Sequence, residues 1–468
     1  MIADLKPYAE YRDSGLPWLG QIPGHWETRP AFGAFVSNRE RNQGMKERTV
    51  LSLSYGRIVI KPAEKLHGLV PESFETYQIV HPGDIVLRTT DLQNDHTSLR
   101  VGMVRDRGII TSAYLALRTS AGVNPEFGFQ FLNVWDSSKA IYGYGSGLRQ
   151  SLDFSHFKRM PVAVPPPDEQ VAIIKFLDWA NGRLERTIRA KRKAITLLNE
   201  QKQAIIHRAV TRGLDVSVPL KSSTITTLGD IPNHWEAVKF KHLLHAPLAY
   251  GVLKPDKYSG ADSVPIIRIL DLANGTVKCT QLESISPQLD NEFKRTRVKQ
   301  GEVIISLVGT IGRSAIIPAN LSHANLSRAL CRVQLRPDVS ADFVIAYTQS
   351  RTFLDQADAI PAGTAQRVLN LGDLKQFWLG LPPLDEQRRI ADALASETRG
   401  LDVAISHLER EIGLLREYRT RLAADLVTGK LDVREAAARL PDEVPLSTVE
   451  DGADLGGDAD IADEEATA

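Results

Sequence analysis

The chain has 468 residues, with 57 Lys and Arg against 57 Asp and Glu, 43% hydrophobic and 24% charged residues, which matches ordinary soluble globular domains and excludes collagen-like and disulfide-stapled classes. Cys279 and Cys331 form neither a disulfide framework nor a zinc spacing, and no run of about 18 apolar residues is present, so a cytoplasmic protein with no metal site and no membrane span is expected. The charge is unevenly spread: from Pro441 onward there are ten acids and no Lys or Arg, which leaves +10 on residues 1–440 and predicts an acidic, disordered tail within 434–468.

In chain order, the first landmark is Ile22-Pro23-Gly24-His25-Trp26-Glu27, which returns 209 residues later as Ile231-Pro232-Asn233-His234-Trp235-Glu236. The simplest reading is a rigid turn whose Trp anchors the chain entry to a core, ahead of a direct ligand role. Each copy is followed by about 140 residues of mixed pattern, enough for a core of its own. Both segments open with short β-like runs, Thr49–Leu53 and Val264–Ile269. Each continues with a Gly-acid turn into an apolar strand, Gly83-Asp84 before Ile85–Arg88 and Gly301-Glu302 before Val303–Ser306. A further strand and a helix come next, Ala113–Arg118 with Phe127–Asp136, and Ala329–Val333 with Ala341–Thr348.

Each segment closes on a polar loop, Gly143–Leu152 with Arg149 and Gln150, and Gly363–Leu369 with Gln366 and Arg367. Arg and Gln can pair bidentately with guanine and adenine edges; a solvated surface loop is the competing reading. After the loops come Pro165-Pro166-Pro167-Asp168-Glu169-Gln170 and Pro382-Pro383-Leu384-Asp385-Glu386-Gln387, each opening a long proline-free run that ends at Leu214-Asp215-Val216 or Leu431-Asp432-Val433. The offset is 217 residues at both landmarks, from 168 to 385 and from 214 to 431. A module has therefore been duplicated.

The long runs carry a heptad pattern. Leu394, Leu401, Leu408, Leu415 and Leu422 recur every seven residues with Ile405 and Ile412 between them, and Leu177, Leu184, Leu198 and Ile205 with Ile188 and Ile195 match them in the first run. These predict helices of about 60 to 65 Å pairing as an antiparallel coiled coil, with Asp168 and Asp385 as caps and Glu169 and Glu386 facing the helix dipole. The expected architecture is α+β: two α+β domains (1–164 and 217–381) separated by two long helical regions (165–216 and 382–433), with an internal pseudo-twofold repeat. Such a pair of inverted heads suits duplex DNA, whose own twofold makes a bipartite, non-palindromic target the expected consequence.

The sequence holds no GxxxxGK[ST] phosphate loop, no HExxH, no GxSxG and no Asn/Asp-Pro-Pro-aromatic element of an amino-methyltransferase, so the chain is expected to make no bond itself. The paired Trp motifs, the paired Asp-Glu-Gln helix starts, the run Gly301–Ser306 to Gly309–Arg313 and the duplicated layout, together covering residues 11–433, resemble the specificity subunits of type I restriction-modification systems. The three prolines at 165–167 and the acidic tail depart from that pattern. The resemblance implies two target recognition domains, each reading half of a split site in double-stranded DNA, and helical regions that space them and bind two methyltransferase subunits. It implies partners, not this chain, that use S-adenosylmethionine, and restriction/translocase subunits that use ATP and Mg2+. Candidate DNA-contacting residues are Tyr55, Arg57, Arg88, Thr89, Gln93, Asn94, Arg149 and Gln150 in the first domain. In the second they are Tyr250, Lys254, Arg268, Ser306, Thr310, Arg313, Arg328, Gln366 and Arg367. A coiled-coil scaffold for proteins and a subunit of a modification-only complex are the alternatives.

Overall fold

The computed structural model describes residues 5–62, 73–90, 99–144, 152–273, 275–321, 323–360 and 368–441. It divides into two compact units, residues 1–190 together with 411 onward, and residues 191–410. Each unit holds one mixed α/β head and half of each long helix.

The two heads share a topology. In the first, a four-stranded sheet runs in the order Phe35–Ser37, Tyr114–Thr119, Ile85–Arg88, Val101–Met103; in the second the same order is taken by Ala249–Tyr250, Leu330–Val333, Val303–Ser306 and Ser314–Ile316. The second sheet continues by two more short strands, Gly275–Val277 and Leu272–Ala273. The last strand of each sheet in chain order leads into a helix, Pro125–Ser137 or Ala341–Thr348, begun by Asn124 or Ser340 as side-chain caps.

The Gly-acid turns have a structural explanation. Asp84, at the entry of the central strand, takes a forked pair of bonds from Arg118 (2.8 and 3.0 Å) on the neighbouring strand. Glu302 does the same with Arg332 (2.7 and 2.5 Å) and also accepts from Gln334 and from the Lys299 backbone. Burial acts to raise the Glu302 pKa, but these donors outweigh it and hold the carboxyl below its ordinary range. A depressed folded-state pKa contributes stability that is complete above the unfolded value, near 4.5, and is lost as pH falls through the folded one. Glu302→Gln should therefore flatten the stability profile below about pH 4.5 and cost about 3 kcal/mol at pH 7, because Arg332 is left buried without its anion. Denaturant titrations from pH 3 to pH 7 check both; an unchanged acid limb would show that Glu302 does not shape it.

The long helices span Pro167–Arg212 and Leu384–Val427. They start two residues later than the proline-to-aspartate pattern suggests and stop four to six residues earlier than the expected boundaries. Pro166 and Pro383 supply the first carbonyls, bonded by Gln170 and Gln387 (both 3.0 Å). Asp168 and Asp385 thus lie inside the first turn and do not cap. The ends are set by Gly213 and Gly429, both in the left-handed region at φ +74 and +76, which any side chain would strain.

Within the first unit, Leu177 and Ala180 join Leu422 and Leu426 in one core, and Arg419 reaches Glu185 at 3.3 Å; within the second, Ile206 and Ala209 join Ile390 and Leu394, and Lys202 meets Asp402 at 2.5 Å. The helices are antiparallel in each. Of the seam residues, Leu177, Leu184, Ile188, Leu394, Ile412 and Leu422 are buried, while Ile195, Leu198, Ile205, Leu401, Ile405, Leu408 and Leu415 are half-buried. Among the half-buried ones, Ile205 packs against the core of the second unit.

Candidate nucleic-acid interface

The repeated Trp motif brackets both long helices at the same place. In the first unit the hairpin Tyr11–Asp13 with Gln21–Pro23 delivers His25 and Trp26 to the start of the first long helix, where Glu169 accepts from Trp26 Nε1 (2.9 Å) and contacts His25 Nε2 (2.8 Å) and the Tyr8 hydroxyl. Burial, and next the bond to Glu169, push the Tyr8 pKa up, so the hydroxyl remains a donor. The other face of the motif meets the end of the second long helix. A Cβ on Gly429 would lie 2.3 Å from Pro23 and 3.1 Å from Trp26.

The second unit repeats this with the hairpin Leu220–Ser222 and Asp230–Pro232, His234 on Glu386 (2.7 Å), and Trp235 against Gly213. Here Trp235 is fully buried but its Nε1 has no hydrogen-bond partner among the described residues. Beside each glutamate, Gln170 and Gln387 turn inward. Gln170 accepts from the Asn124 backbone (2.7 Å) and donates to Gly122 and Pro165; Gln387 accepts from Ser340 (2.8 Å) and donates to Asp338 and Pro382. The Asp-Glu-Gln signature is thus a joint: Glu holds the Trp motif and Gln holds the helix of the head. The sequence signalled these residues as a helix start, and the two glutamine contacts were legible only in the fold.

A recurring polar rim forms at the exit of each central strand. In the first head Thr89 is buried and its carbonyl accepts from Leu152 N (2.8 Å), which returns the segment after residue 151 to the strand end. Arg100 Nη1 bonds the carbonyls of Arg88 and Thr90, fixing the same corner. The hairpin turn at Tyr55 (φ +46) and Gly56 lies against Leu99 and Val101, so exposed Tyr55, Arg57 and Arg88 belong to this end of the head. In the second head Leu307, in the place of Thr89, accepts from Leu369 N (2.7 Å) and Val308 bridges Val368. Tyr250 takes a bond from Leu371 N (3.1 Å), and Leu307 N binds Ala329 O, which seats exposed Arg328 and Thr310 nearby. Lys254 is exposed four residues after Tyr250. Arg57, Arg88, Lys254 and Arg328 form no ion pair among the described residues.

Three candidates are differently placed. Ser306 is fully buried and its hydroxyl donates to the Thr310 carbonyl. Arg268 is held by Asp271 and Glu283; its burial opposes the charge, but the two carboxylates prevail and raise its pKa. Arg313 is exposed, with Nη2 donating to Leu272 O (2.6 Å). Gln93, Asn94, Arg149, Gln150, Gln366 and Arg367 lie outside the described residues. No group of three His, Cys, Asp or Glu among the described residues is placed to hold a metal ion, and no described helix is long and apolar enough to cross a membrane.

Each unit thus holds a head of the same topology, bracketed by the ends of two long helices and carrying a polar rim at the same strand end, which is the layout of a duplicated module. The profile of the Type I restriction modification DNA specificity domain matches residues 232–406. The chain is 25% identical over 296 residues to the type I restriction enzyme EcoBI specificity subunit of Escherichia coli, covering 57% of this chain and 61% of that one. It is 23% identical over 336 residues to the MjaVIII specificity subunit of Methanocaldococcus jannaschii, covering 70% and 75%. A solved structure described as the basis of complex assembly and conformational transition of the type I R-M system shares the fold, with a TM-score of 0.59 at 15% identity, over 88% of this chain and 99% of that one. The chain is thus similar in sequence to specificity subunits of type I restriction-modification systems, and in fold to a solved structure from such a system.

Proposed function

We propose that the chain is the non-catalytic reader of a type I complex: each head reads one half of a bipartite, asymmetric DNA site, and the helical regions dock two methyltransferase subunits and the restriction/translocase subunits. This reading rests above all on the duplicated strand-end rim, where Arg57 and Arg88 in one head and Lys254 and Arg328 in the other are exposed cations with no ion-pair partner among the described residues. Cations in such a place serve phosphates, and the forked guanidinium heads also serve guanine edges. The chain itself binds no cofactor; S-adenosylmethionine, ATP and Mg2+ belong to the partners.

Sequencing of methylated adenines in host genomes with and without the gene tests the function and the target together. Loss of one split motif is the expected result; an unchanged set of motifs would defeat the reading. With partners present, Arg88→Ala should weaken binding about 10- to 100-fold and relax one half-site only, and Arg328→Ala the other, as base-reading arginines do. Equal weakening on all sequences would reassign them to phosphate contact. Duplex binding that did not depend on salt, or no duplex binding at all, would favour the scaffold alternative.

A further inference from the structure

The hairpin Leu51–Ser54 with Arg57–Ile60 closes through two residues, Tyr55 and Gly56, since Ser54 pairs directly with Arg57. Both stand at positive φ, +46 and +76. Asn-Gly is the favoured pair for such a turn, and an aromatic residue at its first position works against the backbone. Among the described non-glycine residues at positive φ, Tyr55 alone is aromatic. The fold gives the ring nothing in return: it is 54% exposed, and its hydroxyl makes no hydrogen bond among the described residues. The hairpin beneath it is firmly seated. Leu53 and Ile58 fill the space over Gly102, where a Cβ would lie 2.6 and 2.9 Å from them. At the same end of the head stand Leu99, 42% exposed, and the exposed cations Arg57 and Arg88, which have no ion-pair partner among the described residues. The exposed tyrosines of the second head are tied instead. Tyr250 takes the Leu371 N–H, and Tyr258 donates to Asp262 (2.9 Å).

We propose that Tyr55 is a stacking prong: its ring enters one base step of the half-site read by the first head and unstacks it. This rests on the proposed function and adds to it a contact that reads deformability, not base edges. A ring without a hydrogen bond offers a base only its face, and flexible pyrimidine–purine steps yield most readily to such an insertion. Leu99 gives the ring an apolar neighbour on the protein side, and Arg57 supplies positive charge for the phosphates flanking the opened step. The second head has no such prong among its described residues, so the distortion is confined to one half-site.

The test uses the full chain with its partner subunits and duplexes carrying the split motif found by methylation sequencing. The fluorescent analogue 2-aminopurine replaces in turn each purine of both half-sites, apart from the methylated adenines. The native chain should raise its emission several-fold at one step of one half-site, as unstacking does. Tyr55→Phe should keep the signal, because the hydroxyl is not used. Tyr55→Asn should lose it and bind about 10- to 100-fold more weakly, the scale of one aromatic stack, with an unchanged salt slope. Asn also suits the turn, so the urea midpoint of this variant should equal or exceed the native one, which separates a lost ring from a lost fold. A signal kept in Tyr55→Asn, a signal lost in Tyr55→Phe, or native affinity in Tyr55→Asn would each overturn the prong and leave the half-site reading intact. A complex that binds no duplex at all would overturn both.

Discussion

Glu169→Ala is expected to destabilise the protein by about 4 kcal/mol and Glu386→Ala by about 1 kcal/mol, although the two residues occupy the same place in the repeat. Glu169 is 2% exposed and accepts from Tyr8 and from Trp26 Nε1 as well as meeting His25. Removing it strands two buried donors. Among the described residues Glu386 has His234 alone as a side-chain partner, a side chain 44% exposed, and Trp235 Nε1 makes no bond to it. The contribution of each carboxylate to its helix dipole is common to both and cancels in the comparison. Urea unfolding of the two variants, with His25→Ala as a mild control, measures the difference; equal losses at 169 and 386 would show that the hydrogen bonds are not its source. The asymmetry has a source in the chain. Residues 5–13 meet the stretch after the second long helix, where Asp432 N bonds Lys6 O (2.8 Å), Tyr11 bonds Lys430 O (3.1 Å) and Arg434 lies over the Tyr8 ring. The second unit receives its hairpin directly from the first long helix, and no tyrosine is delivered to Glu386.

Four residues inserted after Ala190 together with four after Arg410 should leave both half-sites unchanged and alter the gap between them. One added turn lengthens each helix by about 6 Å, which against a rise of about 3.4 Å per base pair is one or two base pairs. Binding to the original site should fall about 100-fold and return on a site with the longer gap, since a reader held off register loses one half of its contacts. Methylated-adenine sequencing of cells carrying the insertion reads the result. A changed half-site would sink the spacer idea, and an unchanged gap would show that the helices do not set it.

Much of the architecture was legible because duplication writes the same physics twice. A heptad of leucines can only be a seam, Gly-acid before a run of Ile and Val can only be a strand entry, and equal offsets locate equal elements. The helix ends were less legible, since apolar periodicity continues past Gly213 and Gly429, and only a positive φ at those glycines stops the helix. The candidate site was legible as residue types and not as surfaces. Ser306 and Arg328 read alike as polar residues near a strand, yet Ser306 is sealed inside and Arg328 faces solvent.

By itself the sequence determined the duplicated module, the α+β heads, the two long antiparallel helices and the resemblance to type I specificity subunits. These follow from periodicity, spacing and repeated motifs, which are properties of order along the chain. Tertiary structure alone decided that the Trp motif and the Asp-Glu-Gln start form a single joint with the opposite helix end, that Glu302 and Asp84 serve arginines of neighbouring strands, and which arginines remain free to meet a ligand. Those outcomes depend on which distant groups fold to within hydrogen-bond distance and which are withdrawn from water, and no local pattern encodes a distance between residues 26, 169 and 429.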